Sequence, residues 1–81
     1  MTLTEIVKAT AARMKDVAVY LDRNMDNVLI STPGQEDIYM QGDDAVQFLT
    51  ELDDLYEKTG DCTEDECALT LAAPYAENLW S

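Results

Sequence analysis

The stretch that decides the fold is NVLISTPGQEDIYMQGDD, residues 27–44. It opens on a run of apolar and β-branched residues, 28–32, which is typical of a β-strand. Pro33 and Gly34 suit the centre of a type II turn, because proline presets φ and glycine accepts a positive φ. Residues 38–40 then return as a second strand. The stretch predicts an antiparallel hairpin that must rest on helices, or gain a third strand from a partner, because a lone hairpin is marginally stable in water.

An acidic helix is predicted directly after this hairpin. Gly42 is followed by Asp43 as the expected N-cap and by Asp44, whose charge is favourable at the positive end of the helix dipole. The apolar face of this helix is formed by Ala45, Phe48, Leu49, Leu52, Leu55 and Tyr56. Their spacing follows the helical repeat. Lys58 is expected in the last turn, and Gly60 is expected to end the helix.

A shorter helix is predicted after Gly60. Thr63 and Glu66 have the spacing of a capping box, in which each side chain accepts a hydrogen bond from the other residue's backbone. Pro74 cannot continue a helix and is expected to end this one. We expect the remaining residues to form a short turn or helix, with Trp80 folded back onto the core.

The residues before the hairpin allow two interpretations. Thr2 and Glu5 form another capping-box pattern. Positions at helical spacing, all apolar except Thr10, follow at Leu3, Ile6, Val7, Thr10, Met14, Val17, Ala18, Leu21 and Met25. They favour one helix from about Leu3 to Arg23. The alternative ends the helix near Lys15 and makes residues 17–21 a strand. We expect the long helix, since it explains more positions.

These elements predict a small α+β fold with the order α-β-β-α-α, in which the antiparallel hairpin packs on helices. A chain of 81 residues is expected to form a single domain, residues 1–81, around one small core. Its hydrophobic content of 47% excludes disorder on grounds of composition. A core of this size leaves no room for a deep catalytic cleft.

Charge is the most unusual property of the sequence. Seventeen acidic residues, five basic residues and no histidine give a net charge of −12. The excess lies after residue 25, where Lys58 is the one basic residue among fourteen acidic ones. Duplex nucleic acid and anionic membranes are excluded as direct ligands, because both are bound through lysine and arginine. A basic protein surface is therefore the expected partner, unless the charge serves solubility alone.

The sequence shows no targeting segment and no membrane span. Its start lacks a basic region followed by an apolar core, and its uncharged stretches, such as residues 68–76, are too short to cross a bilayer. We expect a cytoplasmic protein in which Cys62 and Cys67 are free thiols, with a short-loop disulfide as the alternative. Zinc sites need four ligands, and this chain has no histidine to complete one. No cofactor is expected.

Neither catalysis nor a metal site is expected from the residue pattern. Without histidine the commonest general base is missing, and no serine or cysteine nucleophile has a base nearby. We therefore expect no enzyme. Asp22, Asn24 and Asp26 resemble the start of an EF-hand loop, but Pro33 stands where a bidentate glutamate is needed. We interpret them as a polar turn.

The acidic residues define a candidate surface for a basic partner. The predicted helix from Asp43 to Glu57 is about 21 Å long and reaches about half the linear charge density of duplex DNA. The predicted partner-binding residues are Glu36, Asp37, Asp43, Asp44, Glu51, Asp53, Asp54 and Glu57. Each would pair with a lysine or arginine of the partner. Tyr39 and Trp80 are the candidate aromatic anchors, with core packing as their alternative role.

Part of the chain resembles a known family. The hairpin from Asn27–Ile30 through Tyr39 and Met40, followed by Gly42-Asp43-Asp44-Ala45, is similar to the hairpin-to-acidic-helix segment of type I-F anti-CRISPR DNA mimics. The resemblance implies an α+β fold and acidic residues, here Asp43 and Asp44, that occupy the DNA-binding site of a CRISPR surveillance complex. The chain departs from the family by ending in the uncharged segment 68–76 rather than in an acidic tail.

The expected function is therefore that of a phage-type inhibitor. It would bind the basic, nucleic-acid-binding surface of a host defence complex through the acidic face of its helix. Two alternatives stay open. One is a small homodimeric structural or regulatory protein whose acids serve solubility. The other is an immunity-type protein that neutralises a basic nuclease.

Overall fold

A three-stranded antiparallel sheet with helices packed against one face organises the chain. The computed structural model describes residues 2–76. The elements are, in order, α1 (Leu3–Arg13), β1 (Ala18–Asp22), β2 (Asn27–Ser31), β3 (Ile38–Gln41), α2 (Asp43–Thr59), α3 (Glu64–Ala72) and a 3-10 turn (Ala73–Tyr75). This arrangement is the predicted α+β class, with one helix, an antiparallel sheet and then two helices.

The first third of the chain departs most from the sequence analysis. The long helix expected from Leu3 to Arg23 was wrong, since α1 ends at Arg13 and residues 18–22 form β1. The strand alternative was correct because β1 pairs with β2 along its whole length. The hairpin therefore gains its third strand from its own chain.

The register of the sheet separates a core face from an outer face. The core face carries Val19 and Leu21 on β1, Val28 and Ile30 on β2, and Ile38 and Met40 on β3. Val28 and Ile30, on the central strand, are 0% exposed. The intervening positions form the outer face. Tyr20, Leu29 and Tyr39 lie opposite one another there, in a row that crosses the three strands.

The helices complete the core above this face. The buried apolar residues of the helices are Val7 and Ala11 of α1, Ala45, Phe48, Leu49 and Leu52 of α2, and Cys67, Ala68 and Ala72 of α3. Those of α2 match the predicted apolar face, except that Tyr56 is exposed and Leu55 is partly buried. Because α2 contacts β2 and β3 while α3 contacts β1, the two helices lie side by side over the sheet.

Local signals at most turns and helix ends were read correctly. The Thr2–Glu5 and Thr63–Glu66 capping boxes are both present. Gly34 has φ 76°, and the Gln35 N–H donates to the Thr32 carbonyl at 3.1 Å, as a type II turn requires.

The predicted N-cap of α2 was wrong by one residue. Gly42 is the N-cap, with φ 62° and no side-chain cap, and Asp43 is the first residue inside the helix. Glycine adopts this backbone conformation at no steric cost, so the chain turns from β3 into α2 without a linker. Asp44 keeps its predicted place in the first turn, and Gly60 ends α2 with φ 71°.

The turn between β1 and β2 is the polar turn that was predicted. One carboxylate oxygen of Asp22 accepts hydrogen bonds from the backbone N–H groups of Asn24 and Met25, both at 3.1 Å. This carboxylate therefore stabilises the turn itself.

Cys62 and Cys67 are buried free thiols, as expected. The prediction for Trp80 lies outside the described residues.

None of the helices within residues 2–76 is both long enough and apolar enough to cross a lipid bilayer.

Candidate partner-binding site

A groove of about 390 Å³ lies between the edge strand β3 and helix α2. It is lined by Ile38, Tyr39 and Met40 of β3, by Asp44, Gln47, Phe48 and Glu51 of α2, and by Tyr75 of the 3-10 turn. Phe48 and Met40 are buried and form its apolar floor. Tyr39 and Tyr75, about half exposed, form its rim with the carboxylates. We call these lining residues the β3–α2 groove.

Helix geometry places the two carboxylates of the groove. Asp44 and Glu51 are seven residues apart, so they lie two turns apart on one side of α2, about 10.5 Å along its axis. Gln47 lies between them on the same side. Asp44 and Glu51 are exposed, and neither forms a salt bridge with any of residues 2–76. Both charges are therefore available to a partner.

Three other predicted binding residues adjoin the groove in sequence. Glu36 and Asp37 immediately precede Ile38, and Asp43 precedes Asp44 in the first turn of α2. All three are exposed, and none pairs with a cation of the described residues. They add negative charge around the groove without lining it.

Two predicted binding residues, Asp53 and Asp54, lie outside the groove and form ion pairs within the chain. Arg23, in the turn between β1 and β2, contacts Asp53 of α2 at 3.0 Å and Glu64 of α3 at 3.3 Å. The hydrogen bonds that the Arg23 guanidinium donates to the Asp53 carboxylate are the main cause that raises the pKa of Arg23. We call these three residues the Arg23 cluster.

Lys58 similarly engages Asp54, one helical turn earlier, at 2.8 Å. This hydrogen bond and the carboxylate charge raise the pKa of Lys58. Glu57 is exposed and lies outside the groove. Of the eight predicted residues, Asp44 and Glu51 line the groove, and Asp53, Asp54 and Glu57 do not.

Two groove residues were missed by the sequence analysis. Gln47 could have been found, since it stands three residues after Asp44 and four before Glu51. Tyr75 had no such signal, because tertiary packing of the 3-10 turn brings it to helix α2, which ended sixteen residues earlier in the chain. Tyr39, one of the two candidate aromatic anchors, is 54% exposed and therefore accessible to a partner.

Tyr39 also lines a second depression, on the outer face of the sheet. This depression of about 220 Å³ is lined by Tyr20, Leu29 and Tyr39, together with Leu21, Asp22 and Asn27. Tyr20 is 60% exposed. Aromatic faces attract ammonium and guanidinium groups, as carboxylates do. The combined surface is therefore suited to lysine and arginine side chains.

Metal or thiol chemistry is not what the described residues favour. Among residues 2–76, no three or more histidine, cysteine, aspartate or glutamate side chains are grouped so that they could hold a metal ion. Burial raises the pKa of the Cys67 thiol, which keeps it in its unreactive protonated form.

Comparisons of the chain with protein-family models, curated proteins and solved structures found no match.

Proposed function

We propose that this protein binds the basic, nucleic-acid-binding surface of another protein and so keeps nucleic acid away from it. The observation that carries the proposal is the β3–α2 groove. Its carboxylates Asp44 and Glu51 have no cationic partner within residues 2–76, and they stand beside exposed tyrosines. Lysines and arginines that contact phosphates can equally pair with such carboxylates.

The overall charge supports the same proposal. A net charge of −12 attracts a basic surface over a Debye length, which speeds association and favours basic partners over acidic ones. Pairing at the groove then determines orientation, and the tyrosines supply apolar contact area. A basic groove that accepts DNA would thus accept this acidic surface in its place.

In its specific form, the proposal is a phage-type inhibitor of a host defence complex, acting in the cytoplasm. The resemblance to type I-F anti-CRISPR DNA mimics supports this form through Asp43 and Asp44, of which Asp44 lines the groove. An immunity-type protein that neutralises a basic nuclease would use the same chemistry. The identity of the captured partner distinguishes these two.

The experiment is capture of partners from a bacterial lysate, followed by a displacement assay. Proteins retained by the immobilised chain are purified and loaded with a fluorescent oligonucleotide, and its release by the free chain is titrated. The test variant is Asp44→Asn/Glu51→Gln. The matched control is Asp61→Asn/Asp65→Asn, which removes the same charge from exposed positions outside the groove.

We expect the wild-type chain and the control to displace the oligonucleotide at similar concentrations. The groove variant should need at least about tenfold more protein, since two charge pairs of about 1 kcal/mol each are lost. Equal loss in both variants would reduce the effect to general polyanion behaviour. A partner that does not bind nucleic acid would contradict the proposal.

Self-association is a second candidate function, favoured by the tyrosines on the outer face of the sheet. Tyr20 and Tyr39 leave apolar surface exposed that a second copy could cover. A homodimer of this kind would dissociate on Tyr20→Ser and would not respond to Asp44→Asn/Glu51→Gln. Sedimentation equilibrium of these two variants separates it from the inhibitor proposal.

A further inference from the structure

Strand β3 leaves one edge of the sheet unpaired within the described residues. It pairs with β2 on one side, and the sheet order β1-β2-β3 places no strand on the other. In antiparallel pairing, alternate residues direct their N–H and C=O groups away from the neighbouring strand. Two of the four residues of β3 therefore direct these groups outward, beside the groove.

We propose that the β3–α2 groove accepts an extended, basic segment of the partner as a fourth strand beside β3. This inference rests on the proposed function and specifies how the partner is recognised. Main-chain hydrogen bonds to β3 supply affinity, and alternate side chains of the segment supply specificity. The groove then recognises the partner segment as an extended strand, not as a helix or a flat charged patch.

The groove carboxylates are within reach of long side chains on such a strand. Side chains on one face of a strand recur about every 6.8 Å, and Asp44 and Glu51 are about 10.5 Å apart along α2. Flexible lysine or arginine side chains at alternate positions span this difference and reach both carboxylates. The opposite face of the segment passes Tyr39, whose exposed ring can cover apolar side chains.

Charge identifies a basic partner rather than a second copy as the occupant. Pairing of two β3 edges would bring together Asp44 and Glu51 of both copies, in chains that each carry −12. Like charges at such close range destabilise strand pairing. A basic segment gains from the same charges that repel a second copy.

The test uses a synthetic peptide of alternating lysine and valine, with its dissociation constant measured by fluorescence anisotropy. Two control peptides carry a methyl group on the backbone nitrogen of every lysine or of every valine. Each modification removes one set of backbone N–H donors and leaves the side-chain charge intact. The chain is used as wild type, as Asp44→Asn/Glu51→Gln and as the control Asp61→Asn/Asp65→Asn. Amide hydrogen exchange locates the bound peptide.

We expect at least one N-methylated peptide to bind about tenfold or more weakly, because two or more backbone hydrogen bonds are lost. The groove variant should also bind the parent peptide about tenfold more weakly, while the control variant matches the wild type. Exchange should slow at residues 38–41 when the parent peptide binds.

The possible failures separate this inference from the proposed function. Equal binding of all three peptides would overturn strand addition and leave the charge-based function standing. Loss of peptide binding, with the nucleic-acid displacement intact, would do the same. Failure of both assays would overturn both. A dimer with residues 38–41 already protected would show that a second copy occupies the edge, and would also overturn the inference.

Discussion

The β3–α2 groove and the Arg23 cluster both contain exposed aspartate and glutamate side chains, but these carboxylates differ in whether they form ion pairs. In the groove, Asp44 and Glu51 face solvent beside tyrosines and have no described cation near them. In the Arg23 cluster, Asp53 and Glu64 share one guanidinium that ties the β1–β2 turn to α2 and α3. One set of carboxylates is unpaired within residues 2–76, and the other contributes to the tertiary structure.

This difference shows why net charge alone does not locate a binding site. Asp53 and Glu51 are two positions apart on one helix, and both are exposed. They differ in their ion pairs, since Arg23 contacts Asp53 and no cation of the described residues contacts Glu51. Counting acids on a helix therefore overestimates the number of unpaired carboxylates, and each acid must be judged by the groups that it contacts.

The largest effect should come from the core that both regions share. Leu52 is 0% exposed and lies on α2 between Glu51 and Asp53. Leu52→Ala should lower the free energy of unfolding by about 2–5 kcal/mol, through lost burial and the cavity left behind. Urea denaturation measures this loss. Val46→Ala, at a position 43% exposed, is the control and should change stability little. A small loss for Leu52→Ala would mean that α2 does not depend on this anchor.

A change at Gly42 should affect the groove more than the Arg23 cluster. A Cβ at Gly42 meets no atom within 4 Å, so the cost of Gly42→Ala is conformational and follows from φ 62°. We expect a loss of about 1–3 kcal/mol in urea denaturation, together with weaker binding of the lysine–valine peptide. Gln41→Ala, one residue earlier, is the control. Unchanged stability would show that α2 can begin without the positive φ.

Removing Arg23 should make the paired region resemble the groove. Arg23→Ala frees Asp53 and Glu64, and two exposed ion pairs of about 0.2–1 kcal/mol each are lost. The variant should also bind the basic peptide more tightly, since two more carboxylates become available. Lys15→Ala removes the same charge at a position with no described salt bridge. If both variants gain affinity equally, pairing does not distinguish the two regions.

The smallest effect concerns acid pH at the start of α3. The backbone N–H of Thr63 donates to Glu66 at 2.9 Å, and this hydrogen bond lowers the pKa of Glu66. As pH falls, the Glu66 carboxylate is therefore protonated in the unfolded chain before it is protonated in the folded chain. The stabilisation is therefore complete above the ordinary glutamate pKa of about 4.3 and is lost as pH falls through the lowered value. Chemical denaturation across this range should show the loss in the wild type and not in Glu66→Gln. An equal dependence of the unfolding free energy on pH in the wild type and in Glu66→Gln would contradict this prediction.

The parts of the fold with local signals were predictable from the sequence. The β2–β3 turn follows from Pro33 and Gly34, and the two capping boxes follow from threonine–glutamate spacing. Strand β1 was not predictable in this way, because residues 17–21 fit both a helical and an alternating pattern. Pairing with β2 decides between them, and this pairing depends on tertiary structure.

The candidate site was predictable only in part, for the same reason. The seven-residue spacing of Asp44 and Glu51 places them on one side of a helix, which the sequence shows. The pairing of Arg23 with Asp53 spans thirty residues, and the expected long helix placed Arg23 in the wrong element. Tyr75 reaches the groove through packing alone.

The most direct measurement compares two variants of equal net charge. Asp44→Asn/Glu51→Gln neutralises the groove, and Asp53→Asn/Asp54→Asn neutralises carboxylates that already have partners. Their dissociation constants for the lysine–valine peptide are measured at one fixed, low salt concentration, since screening weakens all such pairs. We expect the groove variant to bind about tenfold more weakly than the wild type, and the other to stay within about threefold of it. Equal losses, or a greater loss for Asp53→Asn/Asp54→Asn, would contradict the claim that the unpaired carboxylates of the groove form the binding surface.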